Sequence, residues 1–188
     1  MVNKSPNKKI KIAVIGVGNC FSALYQGFAY YKANKNNSVS GIMFEDIGGY
    51  APTDIEVVAA FDVDIRKVGK PIGDAIFALP NCARVFYKDV PAGPIVQMGH
   101  TLDGVSDYML SQPEELGFRL ANKKPVDVVK VLKESGADIL VNYLPVGSQE
   151  ATEFYAQAAI DAKVAFLNCI PVFIASDPKW EKKFIDAK

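Results

Sequence analysis

Histidine and cysteine are scarce in this sequence. His100 is the one histidine among 188 residues, so no His-rich metal site can be assembled from the chain alone. The three cysteines, Cys20, Cys82 and Cys169, are odd in number, far apart and without a CxxC pair. That argues against a disulfide framework and a cysteine-built zinc site, and it fits a reducing compartment. An excess of one charge is also missing, with 21 Lys and Arg against 21 Asp and Glu. A nucleic-acid binder normally carries a basic excess. No apolar run approaches the ~18 residues of a membrane helix. The basic N-terminus ahead of Ile12-Ala13-Val14-Ile15 has the outline of a signal peptide, but Gly16, Gly18 and Asn19 interrupt it, which suits a strand and turn better. The expectation is a cytoplasmic protein with neither a nucleic-acid nor a membrane partner.

What remains is the composition of a globular domain, 49% hydrophobic and 22% charged, which excludes disorder and collagen-like repeats. The length suits one large domain or two small ones and suffices to bury roughly 70% of the unfolded surface. The lysine-rich residues 1–9 read as a frayed tail, and residues 10–188 as the domain.

Strands are expected at 10–15, 55–61, 139–143 and 164–168, each a continuous apolar run. Helices are expected at 20–32, ending over Asn34–Asn37, and at 149–162 with Ser148 as N-cap. Another starts with Pro125 in its first position and stops at Gly136. A last one opens with Asp177 as N-cap and Pro178, and places Trp180 and Phe184 on one face. Residues 38–54 read as an irregular insertion, 64–70 as a helical stretch broken by Pro71, and 72–78 as a short helical turn. Residues 81–124 yield only the short runs Val85-Phe86-Tyr87 and Ile95-Val96 and a helical candidate at 102–110. Strands that alternate with helices and are apolar throughout imply an α/β fold, a doubly wound parallel sheet covered on both faces. No internal repeat is visible.

The strand at 10–15, then Gly16-x-Gly18, then a helix, is a dinucleotide-binding arrangement. The first glycine makes the tight turn, the second admits a pyrophosphate, and the helix N-terminus presents free N–H groups to it. The third small position of the fingerprint is Phe21 instead, and Ala23 is expected to supply the close helix–strand contact. Asp62, ending the second strand, suits the adenosine ribose hydroxyls and favours NAD over NADP, with Asp64 as the local cap that leaves Asp62 free. Ligands of open parallel sheets lie beyond the carboxyl ends of the strands. The loops from Asn142 to Gly147 and from Asn168 to Pro171 should therefore face the cofactor, though turn chemistry alone would also explain their Pro and Gly.

Five ordered blocks, Gly16-Val17-Gly18-Asn19-Cys20, Ala60-Phe61-Asp62-Val63-Asp64, Thr101-Leu102-Asp103-Gly104, Asn142 to Ser148 and Pro171 to Ser176, resemble the myo-inositol-1-phosphate (inositol-3-phosphate) synthase family. The likeness is closest to its shorter bacterial and archaeal branch. It implies an NAD-dependent isomerisation of glucose 6-phosphate to inositol phosphate, by oxidation, aldol closure and reduction, in inositol and phospholipid biosynthesis. It assigns pyrophosphate to Gly16, Gly18, Asn19 and Cys20, ribose to Asp62, and the dinucleotide's surroundings to Tyr143, Leu144 and Pro145. Lys123, before the 125–135 helix, would contribute a backbone contact. The family chain is about twice as long and usually forms a homo-oligomer, a tetramer. Its catalytic α+β domain, with a Gly-Asp-Asp-Ile-Lys-Ser block and several lysines, has no counterpart here. The resemblance thus implies a cofactor half, with no catalytic residue and no metal ligand. Two other readings stay open: a different nicotinamide-dependent dehydrogenase, and a non-catalytic NAD-binding module. His100 receives no catalytic role.

Overall fold

The apolar runs of the sequence form the centre of a parallel sheet. The structure is a computed structural model that describes residues 9–34 and 41–187. Its strands are β1 (Ile10–Ile15), β2 (Ile55–Asp62), β3 (Val96–Met98), β4 (Ile139–Asn142) and β5 (Ala165–Asn168). They are ordered β3-β2-β1-β4-β5, and every neighbouring pair is parallel. The helices are α1 (Asn19–Ala33), α2 (Ile72–Ala75), α3 (Asp107–Ser111), α4 (Val128–Ser135), α5 (Gln149–Ala162) and α6 (Pro178–Asp186).

Alternation along β1 divides the core. Ile12 and Val14 face one cluster with Phe21 and Tyr25 of α1 and Ile72 and Ala75 of α2. Ala13 and Ile15 face the other with Val128 and Leu132 of α4 and Tyr155, Ala158 and Ala159 of α5. The pairing of β1 with β2 slips by one residue, Ile12 lying opposite Val57 and Ala13 opposite Ala59. That bulge puts Val57 and Ala60 on the first face and Ala59 and Phe61 on the second. Both faces are covered, as a doubly wound sheet requires.

Several expected details change. A fifth strand, β3, emerges from the stretch read as turns. It pairs with Ala60, Phe61 and Asp62, so among the described residues the first half of β2 has a strand neighbour on one side alone. The fourth helix begins at Val128, not at Pro125, because the Asp127 side chain accepts the Lys130 N–H at 3.0 Å and sets the start there. Gly136 ends it at φ +64, as expected. The 64–70 stretch is a series of turns, and 102–110 divides into a 3₁₀ turn at Leu102–Gly104 and α3. Asp177 caps α6 through the Lys179 N–H at 2.7 Å, with Pro178 first in the helix. Trp180 is buried there, and Phe184 stacks on Phe166. Residues 1–8 of the expected tail and 35–40 of the insertion lie outside the described residues. Within the insertion, residues 41–51 form bends with one isolated bridge, Ile47 to Tyr50. No helix among the described residues is long and apolar enough to cross a membrane.

Candidate functional site

The chain leaves β1 for β2 on one side and later crosses to β4 on the other side of β1. The carboxyl ends of β1 and β4 therefore flank a topological switch point, where open α/β sheets bind ligands. The turn after β1 and the loop after β4 meet there. Gly16 N–H donates to Phe61 O and Tyr143 N–H to Ile15 O, each at 2.9 Å. Gly16 adopts φ +87, and a Cβ on it would lie 2.6 Å from Tyr143 O. The first glycine is thus demanded by the protein itself.

Gly18 is different. Its φ is −90, open to any residue, and a Cβ there would meet nothing within 4 Å. The space it leaves borders a crevice lined also by Gly16, Asp62, His100, Thr101, Tyr143 and Pro145. Behind Gly18, α1 begins with no side-chain cap and no acidic residue in its first turn. The other helices of five or more described residues have their leading N–H groups taken: Ser106 caps α3, Asp127 α4 and Asp177 α6. At α5 the acceptor is Asp103, whose carboxylate takes the Glu150 and Ala151 N–H groups at 2.8 Å each. The expected cap, Ser148, sits in position but donates its hydroxyl to Pro145 O at 2.6 Å. Among these described helices α1 alone is left with a positive end that no side chain caps, beside the crevice. The fingerprint's departure is resolved by packing. Phe21 is fully buried, Ala23 is exposed, and the small buried residue is Ser22.

Asp62 is not free. Its Oδ2 accepts the Val17 N–H at 2.8 Å, and its Oδ1 accepts the Val63 and Asp64 N–H groups at 2.7 and 2.9 Å. One acceptor position remains on Oδ2, and the residue is 8% exposed at the crevice. Lys67, fully buried, brings its ammonium to Val17 O at 2.9 Å, to Asn81 Oδ1 at 2.8 Å and to 3.8 Å from Asp62 Oδ2. Burial lowers its pKa, and the Asp62 and Asp64 charges oppose that shift. Asn81 Nδ2 also donates to Val17 O, at 2.9 Å. Asp64 is fully buried and paired with Arg66, and it accepts the Arg66 and Arg119 N–H groups. Burial works against its ionisation, but the Arg66 guanidinium and these N–H groups outweigh it and hold the carboxyl below its ordinary range. Arg66 in addition donates to Glu114 O and Gly117 O.

The strand ends β4 and β5 are joined by amides. Asn142 Nδ2 donates to Asn168 Oδ1 at 2.9 Å and to Thr152 Oγ1 at 3.1 Å, while Asn142 Oδ1 accepts the Leu144 N–H at 3.0 Å. Tyr143 interacts with the Cys169 thiol; burial first, then that thiol, raises the phenol's pKa and keeps it a donor at neutral pH.

Of the expected site residues, Gly16, Gly18, Asp62, Tyr143, Leu144 and Pro145 line the one crevice. Asn19 uses its side chain to fix a neighbouring segment, accepting the Cys82 and Ala83 N–H groups at 2.7 and 2.9 Å. Cys20 is an exposed thiol in the first turn of α1. Lys123 is exposed, its ammonium beside Gly69, and does not line the crevice. The His100 N–H donates to the Tyr155 hydroxyl at 3.0 Å, and its ring packs on Phe154. Sequence reading missed Lys67 and Asn81. Lys67 stands in a run, Arg66-Lys67-x-x-Lys70, that looks like a solvated surface. Among the described residues no group of three or more His, Cys, Asp or Glu is placed to hold a metal.

No family model matches the chain. Against known proteins, it is 52% identical over 180 residues to an inositol-3-phosphate synthase of Mycolicibacterium smegmatis, covering 95% of this chain and 48% of that protein. The synthase of Mycobacterium tuberculosis is 51% identical over 181 residues, covering 96% and 48%.

The chain belongs to the inositol-3-phosphate synthase family.

It spans about half the length of the curated relatives it matches. The synthase of Corynebacterium glutamicum is likewise 51% identical, covering 95% of this chain and 48% of that protein. Among solved structures, the crystal structure of Ari2 superposes with a TM-score of 0.78 at 36% identity, covering 95% of this chain and 50% of that one. A myo-inositol-1-phosphate synthase-related protein of Thermotoga maritima superposes at 0.72 and 20% identity, over 95% of this chain and 51% of that one. It shares the fold.

Proposed function

We propose that this chain is the NAD-binding part of an inositol-3-phosphate synthase, an enzyme that isomerises glucose 6-phosphate to 1D-myo-inositol 3-phosphate. The observation that carries the reading is the turn at the switch point. Gly18 leaves a cradle that a Cβ would fill, directly before a helix whose leading N–H groups no side chain caps. That combination suits a pyrophosphate. The residues present fit a dinucleotide. Gly16 shapes the turn, the α1 backbone from Asn19 and Cys20 offers donors, and the remaining acceptor position of Asp62 suits a ribose hydroxyl. Tyr143, Leu144 and Pro145 border the nicotinamide side. NAD, when bound, supplies reversible hydride transfer for the oxidation and reduction steps. This chain's own residues bind and orient it; the cations that steady the sugar's phosphate and developing oxyanion come from the remaining part of the enzyme. Calorimetric titration of the purified chain with NAD tests this. One-to-one binding with a rise in the thermal midpoint is expected; no heat and no shift would overturn the reading.

A further inference from the structure

We infer that Lys67, together with Asn81, is a positioning residue for the pyrophosphate: it fixes the peptide groups on either side of Val17 in the Gly16-Val17-Gly18 turn, so that the turn is set before ligand arrives. The inference rests on the dinucleotide reading of this turn. Val17 is gripped from both ends of its backbone. Its N–H donates to Asp62 Oδ2 at 2.8 Å. Its carbonyl accepts from Lys67 Nζ and from Asn81 Nδ2, both at 2.9 Å. Lys67 and Asn81 are joined to each other at 2.8 Å, and the ammonium lies 3.8 Å from the same Asp62 oxygen that holds the N–H.

A lysine is an expensive residue to bury, because its charge leaves water. Lys67 borders the crevice but is completely buried, and its ammonium is directed to Val17 O, Asn81 Oδ1 and Asp62. It does not join the Asp64–Arg66 pair, whose guanidinium already supplies that carboxylate. Each of its contacts converges on the turn. Asn81 repeats the pattern, since its second hydrogen bond from Nδ2 goes to Ile76 O at 3.0 Å and anchors the grip to the segment after α2. One residue on, Cys82 and Ala83 donate their N–H groups to Asn19 Oδ1. The segment 81–83 is therefore fastened to the residues before and after Gly18. A turn whose peptides are fixed in advance aims its N–H groups without an ordering cost at the moment of binding, and losing that arrangement weakens the ligand that uses those groups.

The test compares two probes on the 188-residue chain. ADP-ribose carries the pyrophosphate; adenosine carries none. Lys67→Met should raise the Kd for ADP-ribose about tenfold or more while changing the adenosine Kd less than about twofold. Asn81→Ala should act in the same direction more weakly, through a half-buried side chain whose removal the fold tolerates. It carries the test alone should Lys67→Met not fold. A purely structural lysine would lower the thermal midpoint and move both ligands equally or neither. Equal loss for both ligands, or unchanged ADP-ribose binding in a folded variant, overturns the inference. Wild-type chain that binds neither NAD nor ADP-ribose overturns the dinucleotide reading instead.

Discussion

Gly16 and Gly18 are the same residue type two positions apart, and the structure gives them opposite reasons to exist. In Gly16→Ala, the new Cβ would stand 2.6 Å from Tyr143 O, a backbone atom anchored to β1, at φ +87. The left-handed conformation alone costs roughly 1–2 kcal/mol, and the clash must be relieved by moving the β4 loop. A total of about 2–4 kcal/mol lowers the melting temperature by about 5–15 °C in a chain of this size. In Gly18→Val, φ is −90 and ψ is −162, which valine adopts readily, and no atom lies within 4 Å of the new Cβ. The cost is that of a poorer N-cap, about 0.5–1 kcal/mol, or roughly 1–4 °C. The ligand effect runs the other way. The valine side chain fills the approach of the pyrophosphate, so the Kd for NAD should rise at least about tenfold. Differential scanning fluorimetry and calorimetry on the two variants read both effects. NAD binding by Gly18→Val at wild-type strength would refute the cradle. An unchanged melting temperature in Gly16→Ala would refute the strain argument.

Other outcomes are expected. The chain should bind NAD at least about tenfold more tightly than NADP, because Asp62 faces the crevice and Arg66 is held by Asp64, Glu114 O and Gly117 O; equal affinities in a paired titration would remove the ribose role of Asp62. Incubated with NAD and glucose 6-phosphate, this chain alone should release no inositol phosphate detectable by chromatography. The β4 and β5 ends carry neutral Asn142, Tyr143 and Asn168, and absent positioned cations are worth ~10²–10³ in rate each. Asp103→Ala should lower the melting temperature by about 2–6 °C, since α5 loses the acceptor for two N–H groups; no change would mean that Ser148 takes over. In alkali, the Tyr25 and Tyr155 phenols, pushed by burial to about 12, contribute stability that is present below pH ~10 and lost as pH rises toward ~12. A spectrophotometric titration should find at least two phenols ionising late, together with unfolding.

The fold was legible wherever one local signal decided the outcome. β1, β2, β4 and β5 are apolar runs of four or more residues with no rival reading, and Asp177-Pro178 fixes the start of α6 without help from distant residues. β3 was not legible. Val96-Gln97-Met98 is three residues with a polar centre, and it is a strand because Ala60, Phe61 and Asp62 offer a free edge. The capping of α5 failed for a related reason. Ser148 has the right chemistry, but Asp103, distant in sequence, carries a full charge and reaches two N–H groups. In the site, the glycines and Asp62 stood out because turn chemistry and strand ends are local. Lys67 and Asn81 did not, because their roles exist only once β1, the turns after β2 and the segment after α2 are brought together. Lys123 was carried over from resemblance alone; its ammonium lies by Gly69.

The short third strand has a consequence for how molecules of this protein meet one another. Residues 55–59 of β2 have no strand beyond them on the outer side among those described. Such a bare rim is where a foreign strand would add and start edge-to-edge aggregation. Here the rim is obstructed by its own neighbourhood. Glu56 is exposed on it, and the groove alongside is lined by Pro52, Pro91 and Pro94, none of which has an N–H to lend to a ladder. An incoming strand would have to desolvate a carboxylate, and the flanking prolines have no N–H with which to extend the ladder. Glu56 and the three flanking prolines thus have a role in keeping copies of the chain apart that no contact within the fold would reveal.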